Sequence, residues 1–155
     1  MPFAADDTPP NPADALFEAA ARGDMAALTE GLKTLPINGA DEHGWTALIW
    51  AVSVNEIPAA KFLLQQGAEV NAKAIGGWRA LHYAADNRNA ALVDILLANS
   101  ADALLRTDAD ETPADLARKG GDETLARRLE SHQPNPGMAL TRDIAVRAKP
   151  LRWKI

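Results

Sequence analysis

The chain has 155 residues, of which 47% are hydrophobic and 5% aromatic, and its formal net charge is −5. This length suffices for one domain that buries about two-thirds of the surface of its unfolded chain. The absence of cysteine excludes disulfides, thiolate metal sites and cysteine nucleophiles, and the lack of an apolar run of about 18 residues excludes a membrane-spanning helix.

Residues 1–12 are predicted to form a disordered or extended segment. They contain four prolines and the adjacent acids Asp6 and Asp7, a composition that cannot bury enough apolar surface to fold. They also lack the basic and apolar regions of a secretory signal. We therefore expect a cytoplasmic protein.

From Ala13 onward, apolar residues recur at helical spacing. The first unit, 13–40, is predicted to hold two short helices, with Asp24 capping the second. In the second unit, 41–73, Thr46 is expected to cap the first helix. The second helix of that unit is expected to start near Pro58, because proline fits the first helical turn.

The third unit, 74–107, repeats the second. The phrase GWTALIWAV at 44–52 is echoed by GWRALHYAA at 77–85, and we call the offset from Gly44 to Gly77 the repeat period. A period of this size indicates stacked helical units.

The ends of the two repeated units differ at one position. Gly67 is expected to end the last helix of the second unit in the left-handed conformation, but Ser100 stands at the equivalent position of the third unit. Because asparagine tolerates that conformation better than serine, we expect the left-handed residue one position earlier, at Asn99.

The fourth unit, 108–132, is predicted to close the stack. Leu125 and Leu129 are the only large apolar residues of its last helix. A terminal repeat needs a polar outer face, so this helix is interpreted as a cap.

Residues 133–155 are predicted to form an extended tail in which apolar and basic residues alternate. Five basic residues against Asp143 give the tail a net charge of +4, which leaves −9 for residues 1–132. Three alternatives stand: the tail packs on its own acidic body, it docks on a partner or membrane surface, or it is flexible. The residues predicted to dock are Ile144, Val146, Leu151 and Trp153.

These patterns resemble the ankyrin repeat. Asp41–Leu48 is similar to the D-x-x-G-x-T-P-L opening, and Phe62–Ala72 is similar to the closing L-L-x-x-G-A-D-V-N-A. Leu81–Ala85 matches L-H-x-A-A, and Thr112 with Pro113 keeps the T-P pair. The sequence is thus identified as an all-α ankyrin-repeat solenoid of about four helix-turn-helix units, two full and two capping, with an extended C-terminal tail.

Departures from the repeat pattern fall in the turns. Arg79 replaces the capping threonine of the third unit, and Asn55 and Arg88 replace the usual mid-repeat glycine. Ser100 replaces the glycine that closes the second helix. We expect these changes to affect local turns and not the fold.

The resemblance implies that the chain recognises a protein through its turn tips and the concave face of its first helices. Trp45 and Trp78 are the leading candidates, because tryptophan is enriched at binding hot spots; the alternative is that they shield the stack. Trp50 and Tyr83 form a second pair at the same offset, either lining the groove or packing between repeats. Other candidates, each of which could instead be an ordinary solvated residue, lie at turn tips or helix ends: Glu42, His43, Ile75, Asp86, Asn87 and Glu111.

Catalysis, metal binding and cofactors are not expected. His82 resembles the family's structural histidine, and the three histidines of the chain lack metal-ligand spacing. No phosphate-binding loop or nucleophile motif is present, and the acidic body argues against nucleic-acid binding. We expect a monomeric chain with a protein partner; the alternative is an inhibitor or immunity-like accessory protein that covers a cognate enzyme or toxin.

Overall fold

Eight α-helices arranged as four consecutive pairs form the part of the chain that the computed structural model describes, residues 12–132. The predictions for residues 1–11 and for the tail, with Ile144, Val146, Leu151 and Trp153, lie outside the described residues. The helices are α1 Pro12–Arg22, α2 Met25–Gly31, α3 Ala47–Ser53, α4 Ile57–Gln65, α5 Ala80–Asp86, α6 Ala90–Ala98, α7 Pro113–Lys119 and α8 Glu123–Ser131. Each pair is called a unit, numbered one to four. No strand occurs among residues 12–132, and the predicted all-α repeat stack is confirmed.

The first helices of the units pack side by side. Contacts join α1 to α3, α3 to α5 and α5 to α7, and within each unit the two helices contact each other. Ala51, Ala84 and Ala117 follow one another at the repeat period, and each is fully buried between these helices. Their small side chains let neighbouring helices approach closely. Leu63, Leu96 and Leu129 fill the equivalent core positions of the second helices.

The predicted helix caps are confirmed. Asp24 Oδ1 accepts a hydrogen bond from Ala27 N at 3.0 Å, and Thr46 Oγ1 accepts one from Ile49 N at 3.3 Å. In unit three, where Arg79 replaces threonine, His82 Nδ1 accepts the Arg79 N–H at 3.1 Å. This is the reciprocal hydrogen bond of a capping box, which Asp115 makes to Thr112 N in unit four; the threonine cap itself has no replacement in unit three.

The predicted left-handed residue at Asn99 is wrong. Asn99 has φ −98°, and Ser100 itself takes the left-handed conformation at φ 72°. The backbone hydrogen bonds from Ser100 N to Leu97 O and from Ala101 N to Leu96 O are 3.1 and 2.9 Å long, the same pattern that Gly67 and Ala68 make one unit earlier. Buried Ala101 follows the turn, so packing and backbone hydrogen bonds fix the end of the helix more strongly than the preference of one side chain.

Backbone hydrogen bonds also join successive turn tips. Ile75 N donates to His43 O at 2.7 Å, and Asp108 N donates to Gly76 O at 2.8 Å. A Cβ atom at Gly77 would lie 2.7 Å from Asp108 N, so only glycine permits this approach. These hydrogen bonds fix the spacing between the turn tips of units two, three and four. They also fix the positions of the residues next to each tip.

Candidate functional site

Five aromatic side chains form a continuous row across units one to three, which we call the aromatic row. The ring centroids of Phe17 and Trp50 are 6.4 Å apart, and those of Trp50 and Trp45 are 4.9 Å apart. Trp45 then lies 5.0 Å from Tyr83, and Tyr83 lies 4.8 Å from Trp78. The tilted rings are in the range in which aromatic pairs attract each other.

The repeat period explains the row. Phe17, Trp50 and Tyr83 follow one another at that period and occupy equivalent positions on α1, α3 and α5. Because these helices pack side by side, the equivalent side chains lie in line. Trp45 and Trp78 each precede the N-cap of their unit's first helix, and Trp45 fits between Trp50 of its own unit and Tyr83 of the next.

The rings of the row differ in how deeply they are buried. Phe17 is buried, and the four rings from Trp50 to Trp78 are half-buried. Trp45, Trp50 and Tyr83 pack against the hydrophobic core, and burial raises the pKa of Tyr83. The ring of Trp78 lies 6.1 Å from that of His82. Each of these four aromatic residues thus serves packing while part of it stays accessible.

Open clefts flank the end of the row that lies in units one and two. One of about 350 Å³ is lined by Asp14, Phe17, Glu18, Ala21, Asp41 and Trp50. A second of about 380 Å³ is lined by Asp41, His43, Trp45, Trp50 and Ile75. Both combine aromatic walls with carboxylate groups.

Four carboxylates, those of Asp14, Glu18, Asp41 and Glu42, line this end of the row; we call them the acidic edge. Asp41 Oδ1 accepts hydrogen bonds from His43 N at 2.8 Å and Trp45 N at 2.9 Å, which shape the turn. Glu18 pairs with Arg22 at 2.6 Å, and Glu42 lies 3.5 Å from the His43 ring. Within residues 12–132, Asp14 has no basic partner within ion-pair distance, so this end of the row is negatively charged.

The other predicted site residues fall into two groups. Ile75, 63% exposed, lines a cleft with Trp45, and Glu42 and His43 are exposed at the neighbouring tip. Asp86 is exposed at the end of α5. Asn87 instead links two units, because its amide donates to Ser53 O at 3.0 Å.

Glu111 occupies the position in unit four that Trp45 and Trp78 occupy in units two and three. It is half-buried and pairs with Lys119. Leu116, the counterpart of Trp50 and Tyr83, is buried. The aromatic row therefore ends at unit three.

Sequence reasoning did not predict the role of Phe17 or of the acidic edge. Phe17 was detectable in principle, since it stands one repeat period before Trp50. The approach of Asp14 on α1 to Asp41 in the next unit depends on stacking geometry, and the sequence carries no signal for it.

His82 is a neutral structural residue. It is fully buried, its Nδ1 accepts a hydrogen bond, and its Nε2 lies 3.0 Å from Leu105 O, which requires the Nε2–H tautomer. Burial lowers its pKa to about 4, although the hydrogen bond to Leu105 opposes this shift. The imidazole thus connects α5 to the loop that leads into unit four.

Neither a metal site nor a membrane span is found in residues 12–132. No group of three or more histidine, aspartate or glutamate side chains there could hold a metal ion. No helix in the same range is long and apolar enough to cross a membrane.

Comparison with known proteins returns ankyrin repeats along the whole row. One family model, ankyrin repeats in three copies, matches residues 3–74, and another, ankyrin repeats in many copies, matches residues 63–117. The first model includes Phe17, Trp45 and Trp50, and the second includes Trp78 and Tyr83.

Several curated proteins are similar to parts of the chain. A palmitoyltransferase, akr1, of Schizosaccharomyces pombe is 44% identical over 40% of this chain and 10% of its own length. The human mitochondrial disaggregase is 39% identical over 54% of this chain and 12% of its own length. The E3 ubiquitin-protein ligase hecd-1 of Caenorhabditis elegans is 30% identical over 86% of this chain and 5% of its own length. The chain thus matches only a small part of each of these relatives.

Proposed function

The chain belongs to the ankyrin-repeat family, whose repeats are non-catalytic protein-interaction modules, and we propose that it binds a protein partner through the aromatic row and the turn tips beside it. The observation that carries this proposal is the row itself. Five rings lie in one line on the first helices and their preceding turns, and the clefts beside them are open.

The fold does not require aromatic residues at these positions. In unit four the same two positions hold Glu111 and Leu116, and α7 still packs on α5. Packing of a first helix on its neighbour therefore does not depend on an indole or phenol ring at these positions. This favours a role in binding, because tryptophan and tyrosine supply much of the energy at protein interfaces.

The rigidity of the row also favours binding. Each half-buried ring contacts its neighbours within the row, so little side-chain entropy is lost when a partner covers it. Ile75 and the exposed tip residues Glu42 and His43 lie beside the row and would form the rim of the interface. The centre would be aromatic and the rim mixed, as in many protein interfaces.

We further propose that the chain catalyses no reaction itself and acts as a monomer in the cytoplasm. The buried histidine uses both ring nitrogens in structural hydrogen bonds. Light scattering of the purified chain and fractionation of its native host test the oligomeric state and the compartment.

The test compares two exposed apolar residues. Ile75 is 63% exposed beside the row, and Leu104, 62% exposed, lies outside both clefts. We expect Ile75→Asp to reduce partner recovery from the native host by at least about tenfold, a typical hot-spot effect, and Leu104→Asp to leave it unchanged. Quantitative affinity purification with mass spectrometry measures both.

A second pair of variants tests the rings. Trp45→Ala with Trp78→Ala should abolish partner recovery, but these half-buried residues also contribute to stability. Trp45→Phe with Trp78→Phe keeps an aromatic ring at each position and should retain the fold, which circular dichroism checks, while weakening partner binding. Equal partner recovery by wild type, Ile75→Asp and the folded double variants would refute the proposal.

A further inference from the structure

One segment of the same chain, residues 138–155, is complementary to the aromatic row and the acidic edge in charge and in the spacing of its apolar residues. We propose that residues 138–155 dock on the aromatic row and the acidic edge, so that this segment and the protein partner compete for one surface. The proposal shares that surface with the proposed function and goes beyond it by naming an occupant within the chain.

Charge is the first argument. The acidic edge carries four carboxylates, and Asp14 among them has no basic partner within residues 12–132. Residues 138–155 contain five basic side chains and one acidic residue, Asp143. Opposite charges on two surfaces steer them together and fix their orientation, and lysine or arginine over an indole face adds a cation–π attraction.

Apolar spacing is the second argument. Leu151, Trp153 and Ile155 alternate with Arg152 and Lys154, so in an extended chain the three apolar residues would share one side and recur every ~6.6 Å. Ring centroids along the row are separated by 4.8 to 6.4 Å. Consecutive apolar side chains of the segment could thus contact successive rings while its basic side chains face the carboxylates.

Chain length is the third argument. The described residues end at His132, next to α8, which Arg128 ties to Asp94 of α6 at 2.9 Å. The 23 residues that follow can span up to about 75 Å when extended. Helices α7 and α3 are two packing distances apart, roughly 20 Å, so the segment is long enough to reach the row from the last unit.

The chain has no cysteine, so pairs of spin labels can be placed on the full-length protein without background. One pair joins Ala148→Cys to His43→Cys, an exposed site beside the row. The control pair joins Ala148→Cys to Glu69→Cys, an exposed site after α4. We expect double electron–electron resonance to give a narrow distribution of short distances for the first pair and longer distances for the control pair.

Charge exchange tests the contact itself. Arg152→Glu with Lys154→Glu should broaden and lengthen the distance distribution of the first pair, and adding Asp14→Lys with Glu18→Lys should restore it. The matched control, Glu30→Lys with Glu69→Lys, makes the same change in net charge at two exposed residues outside the acidic edge and both clefts, and it should not restore the distribution. All substitutions are at exposed sites or in the segment, so the fold is expected to persist, and thermal melting verifies this.

Three results would overturn the proposal. The first is a broad distribution for both label pairs, and the second is a short distance for the control pair alone. The third is a short distance in the first pair that disappears when labelled chain is diluted with unlabelled chain, which would mean docking on a second copy.

The distances are measured without a partner, which separates this inference from the proposed function. An undocked segment together with partner loss in Ile75→Asp would refute only the inference. A docked segment together with partner recovery that is indifferent to the row would refute the proposed function and the competition with the partner, and would leave the docking of the segment supported.

Discussion

At the scale of single residues, non-glycine residues in the left-handed conformation are the clearest cost in this chain. Asn55, Arg88, Ser100 and Asp110 have φ between 55° and 72°. This conformation costs most side chains about 1–2 kcal/mol, and it costs asparagine and aspartate less because their short polar side chains form local hydrogen bonds. The repeat architecture imposes the conformation at fixed positions, and residues other than glycine there accept the strain.

Ser100 and Gly67 offer a reciprocal test of this cost, because they occupy equivalent positions one repeat period apart. We expect Ser100→Gly to raise the free energy of unfolding by about 1 kcal/mol, since the left-handed turn at φ 72° is then unstrained. Gly67→Ser should lower it by a similar amount. A Cβ atom at Gly67 meets nothing within 4 Å, so its effect isolates the backbone. Urea denaturation measures both, and changes of the same sign would contradict the argument.

At the scale of elements, single side chains connect one unit to the next. His82 joins α5 to the loop after α6, and Asn71 Oδ1 accepts a hydrogen bond from Asp102 N at 2.9 Å. Asn38 makes the corresponding bond to Glu69 N, at 2.7 Å. Such links fix the register of the stack, and the one made by histidine also makes the stack sensitive to pH.

Protonation of His82 should destabilise the fold. Its pKa is about 4 in the folded chain against an ordinary value of 6.5, so below pH 6.5 the unfolded chain binds the proton first. The stabilisation is complete above pH 6.5 and is lost as the pH falls towards 4. Between pH 7.5 and 5.0 we expect a loss of about 2 kcal/mol.

Urea denaturation at pH 7.5 and 5.0 measures this loss. In the control His82→Gln, which cannot titrate, the difference between the two pH values should shrink by most of that amount. Carboxylates whose pKa is lowered by hydrogen bonds, such as Asp115 with Thr112, titrate below this window. An unchanged difference in the variant would exclude His82 as the cause.

At the scale of the whole molecule, stability is built from neighbour contacts. The first helices of the described units touch in the order α1, α3, α5 and α7, and α8 has its main contact with α7. Unit four therefore depends on unit three, while unit two is held from both sides. In such stacks the ends unfold more easily than the middle.

Leu129 and Leu63 test this dependence, because they are equivalent buried residues of units four and two. Either substitution to alanine should cost about 2–4 kcal/mol. In Leu129→Ala, helix loss measured by far-UV circular dichroism should begin before the near-UV signal of the aromatic row is lost. In Leu63→Ala the two signals should be lost together. Coincident transitions in both variants would show that the stack unfolds as one body.

The sequence predicts the local features of this molecule better than its surfaces. The helix pairs and the caps Asp24 and Thr46 follow from spacing and residue type, because these interactions are local. The left-handed turn at Ser100 was mispredicted, since backbone hydrogen bonds and buried Ala101 outweigh the preference of one side chain. The contact of Trp45 with Tyr83 joins two units, and its geometry depends on how α3 packs on α5.

The period of the aromatic row has an evolutionary consequence. Units two and three each supply two rings, so duplication of either unit in the gene would add two rings to the row and leave the existing rings in place. Insertion or deletion of a single codon within a unit would instead change the period and move the later rings out of alignment with the earlier ones. The row can therefore grow or shrink in whole units, which would change its length more than its chemistry.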